Sequence, residues 1–352
     1  MALMPQYLHC ANPPALSSSD ILCVALAHNE AALLPEFLSH YRALGVSRFL
    51  IVNDRSTDGT DEILSQSEDV TVFTPCEGST YKEHKRFWRA EILDQYGTGK
   101  WCVVPDIDEH LIFEGMGSRH LPDVVADLER EGAKAVQATM VDMYSDVPFN
   151  EARYTGGSLT EAFPFFDGPD HHFRLIAPRR FRKKYPTPDH MVFGGVRQRL
   201  FLPLDIYGNS WRERFFRGAS TVNGGFGFRG ASGLAAYAAR ALIKSRLKKR
   251  NLFNLTKVPL VRWRKGWFYY NGAHALSAPA RLSREKMALL HFCFAAGSSG
   301  FEHKAARGEH ANGSEFYQKM LHSDQARRSS PVFTGTEKYT SEKSLGSFIG
   351  RS

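Results

Sequence analysis

The feature that most constrains the fold is a regular alternation of short apolar runs with segments of helical periodicity between residues 21 and 141. The apolar runs occupy residues 21–27, 48–52, 70–73, 101–104 and 133–141. The helical patterns occupy residues 30–44, 58–65, 82–96 and 121–130. Because strands buried on both faces read as continuous apolar runs, this alternation predicts a doubly wound α/β sheet with helices on both faces.

Polar residues follow the ends of three of these predicted strands. Asn29 and Glu30 come after the first strand, and Asp54 comes after the second. Asp106 and Asp108 come after the fourth. Since ligands of open α/β sheets bind beyond the carboxyl ends of the strands, we expect these side chains to converge on one crevice.

The acidic run at residues 106–109 is the strongest local signal for chemistry. Its two aspartates, Asp106 and Asp108, are one residue apart and can face the same site as the chain leaves the sheet. Carboxylate oxygens suit Mg²⁺ or Mn²⁺, and such an ion would neutralise a diphosphate leaving group. The alternative is an acidic turn or helix N-terminus. The position after a buried strand favours the metal site, with Asp108 as a catalytic residue.

A second polar segment, residues 52–60, follows the second predicted strand. Asp54 is placed to accept hydrogen bonds from a base or a ribose. Asp58 either binds the same ligand or caps the helix that follows it.

On these motifs, the chain resembles the family 2 glycosyltransferases of GT-A fold. The resemblance rests on residues 27–30, 53–60 and 106–109, and it covers roughly residues 20–112. The Asp-Ile-Asp-Glu form, with Leu290-His291-Phe292 later in the chain, is similar to a bacterial branch that also resembles the family 92 enzymes. The resemblance implies a doubly wound mixed sheet of GT-A type, a nucleotide-diphosphate sugar donor, often a UDP-sugar, and Mn²⁺ or Mg²⁺.

The resemblance also implies roles for individual residues. Those that match Glu30 and Asp54 hold the nucleoside, and those that match Asp106 and Asp108 meet the ribose and the metal-bound diphosphate. In GT-A enzymes a late histidine often completes the metal shell, which makes His291 a candidate ligand. The alternative is a core histidine that makes its hydrogen bonds within the protein.

The general base is harder to assign. An inverting transfer needs a carboxylate near the acceptor hydroxyl to take its proton, whereas a retaining enzyme does not need one in that place. The Glu-Asp pair that carries the base in many family 2 enzymes cannot be placed in this chain. The Gln-x-x-Arg-Trp element of the family is also incomplete, because residues 261–263 match only its Arg-Trp end. Asp170 is the first candidate base, with an ordinary loop aspartate as the alternative.

Basic residues supply further candidates, since a formal net charge of +8 favours anionic partners. Arg89 follows Lys85 by four positions, so the two share a helix face that either binds donor phosphates or is solvated. Arg197 follows the pair Gly194 and Gly195, where the backbone can approach a ligand closely. A hairpin turn is the alternative at that position.

The chain is expected to have four parts: a loose lead-in at residues 1–19, a nucleotide-sugar-binding α/β half at 20–142, an irregular acceptor-side half at 143–322, and a polar, mobile tail at 323–352. A helix with a basic end is predicted at 231–250, either on an anionic membrane or as a plain surface helix. The Gly-x-Gly-x-x-Gly match at 225–230 favours a mobile loop over a dinucleotide site.

We therefore expect a cytoplasmic glycosyltransferase of polysaccharide biosynthesis that acts on a glycan or lipid-linked acceptor, with peripheral contact at the inner membrane face left open. No signal peptide and no long apolar span is evident, and the five dispersed cysteines indicate no disulfide framework. One alternative is a sugar nucleotidyltransferase, which normally needs a basic, Gly-rich loop where residues 27–30 stand. The other is a non-catalytic basic module for nucleic acid or anionic membrane, although nucleic acid is not expected as a partner.

Overall fold

The computed structural model describes residues 6–202, 253–308, 314–323 and 327–351, together with Trp211 and Arg214. The predicted basic helix at 231–250 and the Gly-rich segment at 225–230 lie outside the described residues. Within the described ranges, no helix has the length and apolarity needed to cross a bilayer.

Strands and helices alternate through the first 142 residues and become less regular afterwards. The strands are β1 (Leu8–His9), β2 (Leu22–Ala27), β3 (Arg48–Asn53), β4 (Val70–Pro75), β5 (Trp101–Val103), β6 (Glu109–Ile112), β7 (Ala135–Asp142), β8 (Phe165–Asp167), β9 (His172–Ile176), β10 (His190–Gly194), β11 (Thr256–Arg262), β12 (Tyr269–Tyr270), β13 (Ala275–Leu276), β14 (Leu282–His291), β15 (Thr336–Lys338) and β16 (Gly350–Arg351). The α-helices are α1 (Leu34–Leu44), α2 (Thr60–Ser65), α3 (Tyr81–Ile92), α4 (Leu121–Glu131), α5 (Leu159–Ala162), α6 (Arg179–Lys184), α7 (Gly195–Phe201), α8 (Gly297–Arg307) and α9 (Glu315–His322).

A ten-stranded mixed sheet forms the centre of the molecule. Its order is β1-β4-β3-β2-β5-β11-β7-β14-β16, and β6 also pairs with β14. Strand β2 runs parallel to both β3 and β5, and β3 runs parallel to β4. Strand β11 lies antiparallel between β5 and β7, whereas β14 runs parallel to β7. The sheet is therefore mixed, as a GT-A type sheet is expected to be.

Hydrophobic cores cover both faces of this sheet. In β3, Phe49 and Ile51 belong to one core, which includes the buried residues of α1 and α4. Leu50 and Val52 point to the opposite face and join the core that holds Trp88 of α3. Because alternate residues of one strand enter different cores, helices pack on both sides, and the predicted doubly wound α/β class is confirmed.

The local elements lie close to their predicted positions, with one shift at the site. Helix α1 begins at Leu34 rather than at residue 30. Asn29 has a φ of 56°, in the left-handed region, and residues 31–33 form a turn. The loop after β2 is therefore longer than the sequence pattern indicates, and its polar residues remain outside the helix.

The second half of the chain returns to the same sheet. Strands β11 and β14 come from the expected acceptor-side half. The sheet therefore contains strands from both sides of the expected boundary at residue 142. The segment expected to be a mobile tail also carries packed structure, since β15 pairs with β8 and β16 pairs with β14. Leu345 and Phe348, which lie between β15 and β16 in the sequence, are both buried. They anchor a segment that is polar on average.

Candidate functional site

A cavity of about 580 Å³ opens beyond the carboxyl ends of β2 and β5. Residues that follow these strands line it together with side chains from α3, β14 and α8. Of the residues singled out from the sequence, the lining contains Asn29, Glu30, Arg89, Asp106, Asp108 and His291. The expected convergence of polar groups from β2 and β5 is therefore present in the structure.

Two loops at the cavity are joined by side-chain hydrogen bonds. The backbone N–H of Thr57 donates to Asn29 Oδ1 at 2.7 Å. Asp58 accepts from the backbone N–H of Ala31 at 3.1 Å and from that of Thr60 at 3.1 Å. Asp58 thus connects the loop after β2 to the start of α2, whose N-cap position is Gly59, and it is not among the residues that line the cavity.

Asp54 is buried, with 3% of its surface exposed, and it forms salt bridges with two arginines. One carboxylate oxygen accepts from Arg55 Nη1 at 2.9 Å, and the other accepts from Arg307. Arg307 itself lines the cavity, whereas Asp54 does not. The carboxylate therefore orients a guanidinium at the cavity wall instead of facing the cavity directly.

Asp106 forms salt bridges with two cationic side chains that are themselves buried. Arg89 Nη2 donates to one of its oxygens at 2.6 Å, and Lys257 Nζ donates to the other at 2.7 Å. Lys257 also lies 2.5 Å from Glu109 Oε1. Burial would raise the pKa of Asp106, but Lys257 and Arg89 outweigh it and hold this pKa well below its usual range. Both oxygens of Asp106 are thus occupied by protein cations.

Asp108 belongs to a second chain of charges that ends at Arg197. His291 Nε2 lies 3.6 Å from Asp108 Oδ2, and His291 Nδ1 lies 2.6 Å from Asp142 Oδ1. Arg197 Nε donates to the other oxygen of Asp142 at 2.7 Å. Burial would raise the pKa of Asp142, but Arg197 and His291 lower it to about 2. The ionised Asp142 fixes the imidazole, as carboxylates commonly do behind a metal-ligating histidine.

Two groups among the described residues can hold a metal ion. One contains Asp108, Glu109 and His291, and the other contains Asp142, His291 and Cys293, with the ligand atoms of each group within 4.8 Å of one another. Glu109 and Asp142 are already paired with Lys257 and Arg197. Asp108 and His291 line the cavity, and their oxygen and nitrogen atoms suit a divalent ion.

Two of the expected site residues lie away from the cavity. Asp170, the candidate general base, is exposed in the 3₁₀ turn Pro169–His171 and is not part of the lining. The rigid proline turn holds it on the surface. Arg197 is 9% exposed and faces Asp142, so its guanidinium is behind His291 and not beside a ligand.

The sequence reasoning missed several side chains at the site. Lys257 is 1% exposed yet carries a charge, and its signal was a lone lysine within the apolar run of β11. Arg307 lines the cavity from the end of α8. His28 and His303 stack there with ring centroids 5.6 Å apart. His28 belongs to the motif at residues 27–30, whereas Lys257, His303 and Arg307 stand in no local motif, so only the folded chain brings these three to the site.

No family model matches this chain, and no curated protein sequence matches it. Among solved structures, the chain is similar to a 4-diphosphocytidyl-2C-methyl-D-erythritol synthase, at 14% identity and a TM-score of 0.25, over 40% of this chain and 68% of that chain. It is also similar to a structure described as a glucose-1-phosphate thymidylyltransferase from Bacillus anthracis in complex with a sucrose, at 11% identity and a TM-score of 0.24. That match covers 50% of this chain and 70% of the other. At such TM-scores the similarity does not bear on function.

Proposed function

We propose that the protein is a metal-dependent glycosyltransferase that transfers a sugar from a nucleotide-diphosphate sugar, in particular a UDP-sugar, to a hydroxyl acceptor on a glycan or a lipid-linked carrier. The observation that carries this proposal is the pair Asp108 and His291, which lies at a cavity beyond the strand ends with a buried carboxylate fixing the imidazole. Cavities in this position of an open α/β sheet are where nucleotide ligands bind.

In this proposal the donor spans the cavity from the loop after β2 to Asp108. Asn29 and Glu30 contact the nucleoside side of the donor, and Arg89 and Arg307 present guanidinium groups that suit its phosphates. Asp108 and His291 hold Mn²⁺ or Mg²⁺. When bound, the ion supplies charge neutralisation for the departing nucleoside diphosphate.

The role of Asp106 follows from its salt bridges. Because Lys257 and Arg89 occupy both carboxylate oxygens, we assign Asp106 to holding Arg89 in place for the phosphates. The metal is then assigned to Asp108 and His291. This assignment keeps the acidic pair at the centre of the site and gives its two members different tasks.

The first test is thermal unfolding with a panel of nucleoside diphosphates, each with and without Mn²⁺. A ligand that binds only the folded state adds about 2.7 kcal/mol at 100 times its dissociation constant. We expect stabilisation by one nucleoside diphosphate that requires Mn²⁺ and is lost in Asp108→Ala. Asp146→Ala, an exposed aspartate outside the cavity lining, is the matched control and should respond as wild type does.

The same samples separate transfer from nucleotidyl chemistry. Incubation with a nucleotide-diphosphate sugar that contains the stabilising nucleotide should release the nucleoside diphosphate. Release of pyrophosphate from a nucleoside triphosphate and a sugar phosphate would instead identify a nucleotidyltransferase. If no nucleotide shifts the unfolding transition of the wild-type protein, the proposed function is wrong.

A further inference from the structure

A second cavity, of about 510 Å³, lies between α3, α6 and residues 269–272. Its charged lining is strongly unbalanced. The cationic residues are Lys82, Lys85, Arg86, Arg89 and Lys184, and Glu83 is the acidic residue among the described residues of the lining. Such a concentration of positive charge in a concave site favours binding of an anionic group.

Aromatic rings form the other wall of this basic cavity. Tyr185 and Tyr270 lie with ring centroids 4.9 Å apart, and Phe181 packs edge-on against Tyr270 at 5.0 Å. Tyr185 is 9% exposed, so its ring is held by its neighbours. Lys184 Nζ lies 5.5 Å from the Tyr185 ring centroid, which places a positive charge beside that ring. An aromatic wall next to cations suits a ligand that combines a ring with a negative group.

The basic cavity adjoins the proposed donor cavity. Arg89 lines both. Its Nη2 donates to Asp106, while its buried Nε has no hydrogen-bond partner among the described residues. At the floor, a Cβ added to Gly272 would come within 3.4 Å of Asp106 Oδ2, so the backbone there closely approaches the same carboxylate. A ligand in the basic cavity would therefore lie next to the Asp106–Arg89 pair that borders the donor.

We infer that the basic cavity binds the phosphate-bearing part of the acceptor substrate, so that the enzyme glycosylates a phosphorylated sugar or a lipid-linked sugar phosphate. This inference rests on the proposed glycosyl transfer and adds the chemical class of its acceptor. The aromatic wall takes the sugar ring, and the lysines and arginines of α3 and α6 take the phosphate. The acceptor then approaches the donor across Asp106 and Arg89.

The test compares two neighbouring lysines of α6. Both lysines are exposed, but Lys184 lines the basic cavity and Lys183 does not. The substitutions Lys184→Glu and Lys183→Glu change the net charge equally. The probes are glucose 6-phosphate, vesicles of phosphatidylcholine with and without a polyprenyl phosphate, a single-stranded oligonucleotide, and the stabilising nucleoside diphosphate with Mn²⁺. Binding is measured by calorimetry for the soluble probes and by co-sedimentation for the vesicles.

We expect the wild-type protein to bind one phosphate probe, and Lys184→Glu to weaken that binding at least about tenfold, because a charged hydrogen-bond partner is replaced by a repulsive group. Lys183→Glu should change it less than about twofold, because Lys183 is not part of the cavity lining and an exposed charge away from the ligand is screened by solvent. Nucleotide binding should be unchanged in both variants. Loss of glucose 6-phosphate binding indicates a soluble acceptor, and loss of polyprenyl phosphate binding indicates a lipid-linked one.

Several results would overturn the inference. Equal losses in both lysine variants would mean general electrostatic attraction. Loss of nucleotide binding in Lys184→Glu would assign the basic cavity to the donor. Binding of a single-stranded oligonucleotide, weakened in Lys184→Glu alone while neither phosphate probe binds, would assign it to nucleic acid. Phosphate binding with the expected variant pattern but without any nucleotide binding would keep the anionic site and reject the proposed transfer.

Discussion

At the scale of single residues, the charges around Lys257 decide how the acidic run can be used. Lys257 is buried and lies within 2.7 Å of Asp106 and 2.5 Å of Glu109. Glu109 is fully buried. Two carboxylates in this position are tolerable because the ammonium group pairs with both and Arg89 adds a second positive charge at Asp106. The lysine therefore connects the stability of the molecule to the geometry of its site.

Lys257→Met should destabilise the protein by about 3–5 kcal/mol, because it removes one partner of a buried ion pair and leaves the other charged. Urea unfolding measures the loss. Adding Glu109→Gln should recover part of it, since the uncompensated carboxylate is then gone. Lys265→Met, at an exposed position, should change stability by less than about 0.5 kcal/mol. A Lys257→Met protein as stable as the control would show that this pairing contributes nothing.

What the sequence could supply at this scale depended on distance along the chain. The place of Asp106 and Asp108 at the strand-end cavity was predictable because both follow the same apolar strand. Lys257 pairs with Asp106 across 151 residues, and Asp142 reaches His291 across 149. Pairings of that separation are set by tertiary packing, so the tasks proposed for the two aspartates could be distinguished only with the structure.

At the scale of elements, helix α1 is fastened to strand β6 by two histidines. His40 of α1 and His110 of β6 stack with ring centroids 4.2 Å apart and an interplanar angle of 6°. His40 Nε2 lies 3.0 Å from the carbonyl oxygen of Leu111. Burial lowers the pKa of His40 to about 4 and that of His110 well below its usual value. The stacked pair is therefore neutral at physiological pH.

This pairing predicts acid sensitivity. The pKa of His40 is lower in the folded than in the unfolded chain, so the unfolded chain binds more protons between pH 6.5 and about 4. Stability is then complete above pH 6.5 and falls as the pH drops. Relative to wild type, His40→Phe should reduce the loss between pH 7 and pH 5 by roughly 1–2 kcal/mol, measured by urea unfolding at both values.

The matched control for this prediction is His9→Phe, since His9 is exposed on β1. Its loss of stability between pH 7 and pH 5 should equal that of the wild-type protein. If His40→Phe keeps the full loss, the acid sensitivity originates at other buried histidines, and the contact between α1 and β6 is not its source.

Elements were predictable where their signals are local. The runs and periodicities of residues 21–141 correspond to β2–β5, β7 and α1–α4, because burial on both faces leaves a continuous apolar pattern. Strands β11 and β14 were not predicted as parts of this sheet. Their partners β5, β6 and β7 lie more than about a hundred residues away, and β11 carries a register irregularity between Lys257 and Leu260. Apolar patterning shows that such a strand is buried but not which strand it pairs with.

At the scale of the whole molecule, the sheet makes the two expected halves depend on each other. Strand β11 lies between β5 and β7, and β7 in turn pairs with β14. Without the second half, β5 and β7 would be separated by the width of a missing strand. Strand β5 would keep its pairing with β2 and be unpaired on its other edge, and β7 would lose its partners β11 and β14. The backbone groups on these edges would be unpaired, and apolar side chains would be exposed. The unit that folds should therefore include residues from both halves.

A fragment of residues 1–142 should consequently fail to unfold cooperatively in urea and should bind a dye specific for exposed apolar surface, as followed by circular dichroism and fluorescence. The matched truncation removes residues 1–19 instead, which deletes the edge strand β1 and leaves the remaining strand order intact. We expect that protein to unfold in one transition, because an edge strand of two residues adds few contacts. Cooperative unfolding of the 1–142 fragment would show that the nucleotide-binding half is an independent domain, and β11 would then be an addition to a sheet that closes without it.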